Sequence, residues 1–145
     1  MGKSRKQQII LAQQFFDKGC DQWYAYEYEE ALEEFMKSLV LREALLGKYH
    51  MHTSRTYFSM GCALHGKGDG DEALIALRRT MRIAVVKKDK ERIQAAKDYI
   101  NWVMKKEGGY TDRNVDEYIK KLEASIAHES TGDSLLAGDK DKAIE

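Results

Sequence analysis

The feature that most constrains this chain is a repeat. The segment Gly19–Leu32, GCDQWYAYEYEEAL, returns 42 residues later as Gly61–Leu74, GCALHGKGDGDEAL, with Gly-Cys at its start and Glu-Ala-Leu at its end. In the same frame Phe16 aligns with Phe58, Phe35 with Leu77 and Arg42 with Ala84. A period of this size belongs to stacked units, each unable to bury its apolar face alone. In 145 residues there is room for about three of them. The chain contains no proline, which suits an almost wholly helical array. Its 24 basic and 24 acidic residues balance, so no global field favours nucleic acid or an anionic membrane.

Apolar spacing predicts six helices. The first covers about 4–24 with Phe15, Phe16 and Gly19 on one face, and the second runs from near Glu27 to Gly47 through Ala31, Phe35 and Leu39. The third starts between His50 and Ser54, with Thr53 or Ser54 as candidate caps, and ends at Gly66-Lys67-Gly68. Asp69 is expected to cap a fourth over about 71–86, and a fifth spans about 90–106. After Gly108-Gly109 a sixth opens at Thr111 or Asp112 and carries Ile119, Leu122 and Ile126. The array is expected over 1–128, in units of about 12–49, 54–90 and 96–128, with 129–145 a polar tail, weakly ordered or capping.

The units resemble tetratricopeptide repeats. That family's hairpin places an aromatic before Leu-Gly, then Gly-Asp-Tyr-x-x-Ala, an aromatic and a small residue. The second unit supplies Tyr57, Met60-Gly61, Gly68-Asp69, Ala73, Leu77 and Thr80; the first supplies Phe15, Lys18-Gly19, Tyr26-Glu27-Tyr28, Ala31, Phe35 and Ser38. Gly19 and Gly61 are expected to let two helices cross closely against Ala31 and Ala73. The third unit, with Tyr99, Trp102-Val103 and Val115, has lost that glycine and alanine. The 42-residue period and the segment Leu39–His50 are similar to the kinesin light chain type of array, although Met51 stands where that type has proline. The resemblance implies an all-α fold, a short right-handed solenoid of about three helix hairpins.

Catalytic and metal motifs fail on spacing. Gly66–Gly70 lacks the Gly-x4-Gly-Lys-Ser/Thr pattern of a phosphate loop. Asp69-x-Asp71 is followed by Ala73 and Leu74, where a calcium loop needs ligands and a glycine. His50-x-His52 and Cys62-x-x-His65 do not complete a four-ligand metal set. No nucleophile, base and orienting acid assemble, so no enzyme, cofactor or metal is expected. No apolar run approaches the roughly 20 residues of a membrane span. Cys20 and Cys62, at equivalent places in adjacent units, are expected to be reduced thiols in a cytoplasmic protein.

Two surfaces remain as candidates for binding. The second helix of the first hairpin is acidic, with Glu27, Glu29, Glu30, Glu33 and Glu34; its counterpart is basic, with Arg78, Arg79, Arg82, Lys87 and Lys88. Such charges either complement helix dipoles or orient a partner. The resemblance further implies that the first helix of each hairpin lines a concave groove. The implied lining is Gln13, Phe16, Cys20 and Trp23, then Arg55, Phe58, Cys62 and His65, then Lys97, Ile100 and Met104. An apolar floor with Arg55 and Lys97 on one side suits a protein or peptide with an aromatic or aliphatic anchor and acidic flanks. The expected function is a non-enzymatic interaction scaffold. The alternative is a structural or self-associating subunit whose groove is filled by residues 1–11, by the Leu135-Leu136 tail or by another chain's helix.

Overall fold

The computed structural model describes residues 2–106 and 112–130. They form six helices: α1 Arg5–Tyr24, α2 Tyr28–Leu46, α3 Met51–Gly66, α4 Gly70–Val86, α5 Lys90–Lys106 and α6 Asp112–Ser130. The chain is all-α and reads as a solenoid of helix hairpins, with each helix packed on the next and α6 also reaching α4. The expected tail lies outside the described residues from 131 onward.

Local chemistry sets the helix ends. Ser4 and Gln7 form a reciprocal capping box, each side chain bonded to the other's backbone N–H, at 3.2 and 2.9 Å. At α3 the cap is His50, whose Nδ1 accepts from the backbone N–H of His52 at 3.0 Å. Thr53 and Ser54, expected as caps, lie fully buried inside the helix. Asp69 occupies the N-cap of α4 but makes no side-chain cap hydrogen bond. Three helices end in the same paired bonds. Tyr26 and Glu27 donate back to Trp23 and Gln22, Gly68 and Asp69 to His65 and Leu64, and Lys88 and Asp89 to Val85 and Ala84. The turn needs a left-handed residue, which is Gly68 at φ 93° but Tyr26 at φ 63° and Lys88 at φ 57°.

The 42-residue period persists in the packing. Ser38 Oγ donates to the carbonyl of Ala12 at 2.8 Å, tying α2 to α1. One period on, Thr80 Oγ1 reaches the carbonyl of Ser54 at 3.4 Å and Ser54 Oγ that of Thr80 at 3.3 Å. A further period on, the pair is Ala96 and Leu122, both buried in an apolar cluster. The crossing glycines behave as expected, but against different partners. A Cβ on Gly19 would sit 2.6 Å from the Phe35 ring, and one on Gly61 would sit 3.1 Å from Leu77 Cγ and 3.5 Å from the Ala73 carbonyl. Phe35 and Leu77, rather than Ala31 and Ala73, are thus the side chains that require glycine.

Two cores result. The first gathers Phe16, Ala31, Phe35 and Ala63, with Cys20, Trp23, Leu32 and Met60 at its margin. The second runs from α4 to α6 through Leu77, Met81, Ile100, Val103, Val115 and Ile126. The acidic and basic helices are not two simple charged faces. Glu34 is buried between Lys37, at 3.3 Å, and Lys18, at 3.6 Å. Arg82 is buried, and Arg79 donates to the Tyr57 hydroxyl at 3.2 Å while lying over its ring.

Candidate protein-interaction groove

Between α1 and α3 lies a recess of about 220 Å3 lined by Cys20, Trp23, Tyr24, Phe35, Phe58, Ser59 and Cys62. The lining is mainly apolar because the 42-residue register brings Cys20 opposite Cys62 and places Phe58 beside them. From α5, Tyr99 closes the far wall. Its ring meets Phe58 edge-on at 5.3 Å, and its hydroxyl donates to the Cys62 thiol. The Trp23 indole N–H is buried and has no hydrogen-bond acceptor among the described residues.

Burial raises both thiols. Cys62 is pushed up to about 11, and Cys20 shifts the same way, with Arg55 opposing the effect. Both cysteines are unpaired and half-buried. They are neutral thiols near pH 7, which makes them apolar floor rather than nucleophiles.

A separate small cavity of about 50 Å3 is basic, with Gln13, Arg42 and His52 in its lining. Arg42 of α2 is 3% exposed, and among the described residues its guanidinium meets neutral acceptors: Gln13 Oε1 at 2.7 Å, Thr56 Oγ1 at 2.8 Å and the His52 carbonyl at 3.4 Å. It lies over the Phe16 ring at 4.6 Å, and the exposed Arg55 lies over the same ring at 5.2 Å. Arg42 is held below the usual guanidinium range by burial and by Arg55. His52 is lowered by burial and by Arg42, His50 and Arg55. Asp17, which accepts from Gln13 at 2.8 Å, opposes that shift in Arg42.

The structure therefore divides the expected lining. Cys20, Trp23, Phe58 and Cys62 share the recess, whereas Gln13 lines the separate basic cavity and Arg55 lies over the Phe16 ring. Phe16 is 3% exposed and packs on Phe35 at 5.5 Å, so it belongs to the first core and offers no free anchor surface. Ile100 and Met104 are buried in the second core, because the α5 face that carries them turns towards α4 and α6. Lys97 pairs with Glu123 at 2.7 Å across a separate polar cleft between α5 and α6. His65 joins an aromatic cluster with Trp102, at 4.5 Å, and Tyr99. Sequence reasoning passed over Tyr24, Phe35 and Ser59 in the recess, and Arg42 and His52 in the separate basic cavity. Arg42 carried a readable signal: a cation on the stripe of Ala31, Phe35 and Ser38, where the second unit has Ala84.

The architecture is that of a helical-hairpin binding module. Residues 24–84 match the tetratricopeptide repeat family. No curated protein and no solved structure matches it. Proteins of this family serve in general as protein–protein interaction modules and non-catalytic scaffolds. Among the described residues no helix is long and apolar enough to cross a membrane, and no group of three or more His, Cys, Asp or Glu could hold a metal ion.

Proposed function

We propose that this protein is a non-enzymatic adaptor that holds a short partner segment in the groove between α1 and α3. The observation that carries the reading is the apolar recess of about 220 Å3, with Arg55 near enough to act on the Cys20 thiol. That volume suits one aliphatic or aromatic side chain. The Trp23 N–H offers a bond to a backbone carbonyl of the bound segment, and Arg55, exposed and without an acid partner among the described residues, favours a carboxylate beside the anchor. Lys97, engaged by Glu123, is left out of the site. We place the adaptor in the cytoplasm, where two unpaired thiols in a binding surface stay reduced.

A displayed library of random peptides selected on the full chain tests this. Enriched sequences should share an apolar residue near an acid, should slow alkylation of Cys62, and should lose affinity for Phe58→Ser and Arg55→Glu. If no sequence is enriched, or if the enriched ones bind Phe58→Ser as well as the parent, the groove is not the binding surface.

A further inference from the structure

The α1 wall of the recess ends beside a carboxylate that pairs with no cation among the described residues. Asp17, Asp21 and Tyr24 follow one another at helical spacing, so they share a stripe of α1 next to Cys20. Cys20 and Tyr24 line the recess, and both carboxylates act on the Cys20 thiol. Both acids are exposed. Asp17 accepts from Gln13 at 2.8 Å, whereas the Asp21 side chain has no ion pair or hydrogen bond among the described residues.

Its position makes that charge unfavourable. Asp21 lies in the last turn of α1, where the helix dipole is already negative and no basic residue stands. Asp17, one turn earlier, repels it. Past Tyr26 the chain adds Glu27 and Glu30, both exposed, while Lys67 is taken by Glu29 at 3.6 Å. An aromatic surface stands beside this negative end. Tyr24 is 74% exposed, with its ring held edge-on against Trp23 at 5.1 Å. A guanidinium suits both features at once, since its flat face stacks on a ring while its N–H fork meets a carboxylate.

We propose that the partner segment carries an arginine beside its apolar anchor, with the guanidinium stacked on Tyr24 and paired with Asp21. This rests on the groove reading above and names the side chain that flanks the anchor along α1. The reach agrees. Positions three apart on a helix face are separated by about 5–6 Å, and two residues of an extended segment advance about 7 Å. An anchor in the recess thus leaves a neighbouring arginine level with both groups.

The test uses the random peptide library displayed against the full chain. Enriched sequences should place arginine within about two residues of the apolar anchor. Replacing that arginine by glutamate in a selected peptide should weaken binding about tenfold, and Asp21→Arg should recover most of the loss. Tyr24→Ala should weaken binding of the unaltered peptide, and Tyr24→Phe, which keeps the ring, should restore it. Asp21 and Tyr24 are exposed, so these variants keep the fold, which a thermal midpoint equal to the parent's verifies. Sequences enriched without arginine overturn the proposal and leave the groove standing, and so does a charge swap that recovers nothing. No enrichment at all removes the groove and the arginine with it.

Discussion

The junction of the first two hairpins and the junction of the second and third are built from different materials. At the first, a small apolar cluster is laced by buried polar groups. Arg42 joins Gln13 to Thr56, and Tyr57 donates to Glu43 at 2.8 Å. At the second, Arg42 and Glu43 give way to Ala84 and Val85, and the contact is an apolar one through Met81, Ala96, Ile100 and Val103. Repeats with one backbone plan can therefore divide labour. The apolar junction supplies burial, and the polar one holds the buried Arg42 and the exposed Arg55 on either side of Phe16. Polar groups in that position cost desolvation unless bonded, so the first junction should be more sensitive to single changes than its small core implies.

The strongest way to break this comparison lies in the two aligned phenylalanines. Phe16→Ala should cost about 3–5 kcal/mol in denaturant unfolding, since its ring is fully enclosed and supports two guanidinium groups. Phe58→Ala, at a half-buried position, should cost clearly less. Equal costs would mean that Phe58 is structural and the recess is core. Next in size is Arg42. Replacement by Ala should cost about 2–3 kcal/mol, because Gln13 and Thr56 lose their donor and Phe16 its cover. Arg42→Met should recover more than half of that loss, as it does when an apolar group replaces a buried ion. No recovery would make the hydrogen bonds, and not the packing, the source of stability.

Alkaline titration addresses the recess itself. With Cys62 pushed up from 9.0 to about 11, its labelling rate should keep climbing about tenfold per pH unit beyond pH 9, where an ordinary thiol levels off. The unfolded chain loses that proton near pH 9 and the native one near pH 11, so this group's stabilisation is intact below pH 9 and declines across that window. A plateau near pH 9 would show an open, hydrated thiol. The crossing glycines give a smaller contrast. Gly19→Ala forces a methyl to within 2.6 Å of the Phe35 ring and should cost about 1–3 kcal/mol. Gly61→Ala meets the flexible Leu77 at 3.1 Å and gains helix propensity of about 1 kcal/mol, so its net change should be near zero.

Most of the fold was legible because its signals are local and repeated. Gly-Cys and Glu-Ala-Leu at a fixed period, glycine after α2 and α3, and apolar faces at helical spacing specified the hairpins in order. The site was legible only in part. Position in a repeat tells which helix faces the concave side, but not how far it is rotated or what leans over it. Phe16 is sealed by arginines from α2 and α3, Ile100 and Met104 are turned towards α4 and α6, and Lys97 is claimed by Glu123. None of those partners lies within the same helix, so no spacing rule could reveal them. The charge pattern misled for a related reason. Glu34 and Arg82 read as surface charges, yet the hairpins fold over them.

The smallest effect concerns a place where the repeat departs from its own plan. The turn after α4 needs a left-handed residue and uses Lys88 at φ 57°, where the turn after α3 uses Gly68. A non-glycine residue there costs about 1–2 kcal/mol of backbone strain. Glycine removes that strain but adds about 0.5–1 kcal/mol of freedom to the unfolded chain. Lys88→Gly should therefore raise stability by less than about 1 kcal/mol. Gly68→Lys should lower it by a similar amount, since nothing lies within 4 Å of a Cβ built there and backbone strain is the main new term. The Lys88 turn joins the second hairpin to the third, and the Gly68 turn lies inside the second. A larger change at Lys88 than at Gly68, measured as opposite shifts in the unfolding midpoint, would place the weaker link at the apolar junction and reverse the order of sensitivity argued above.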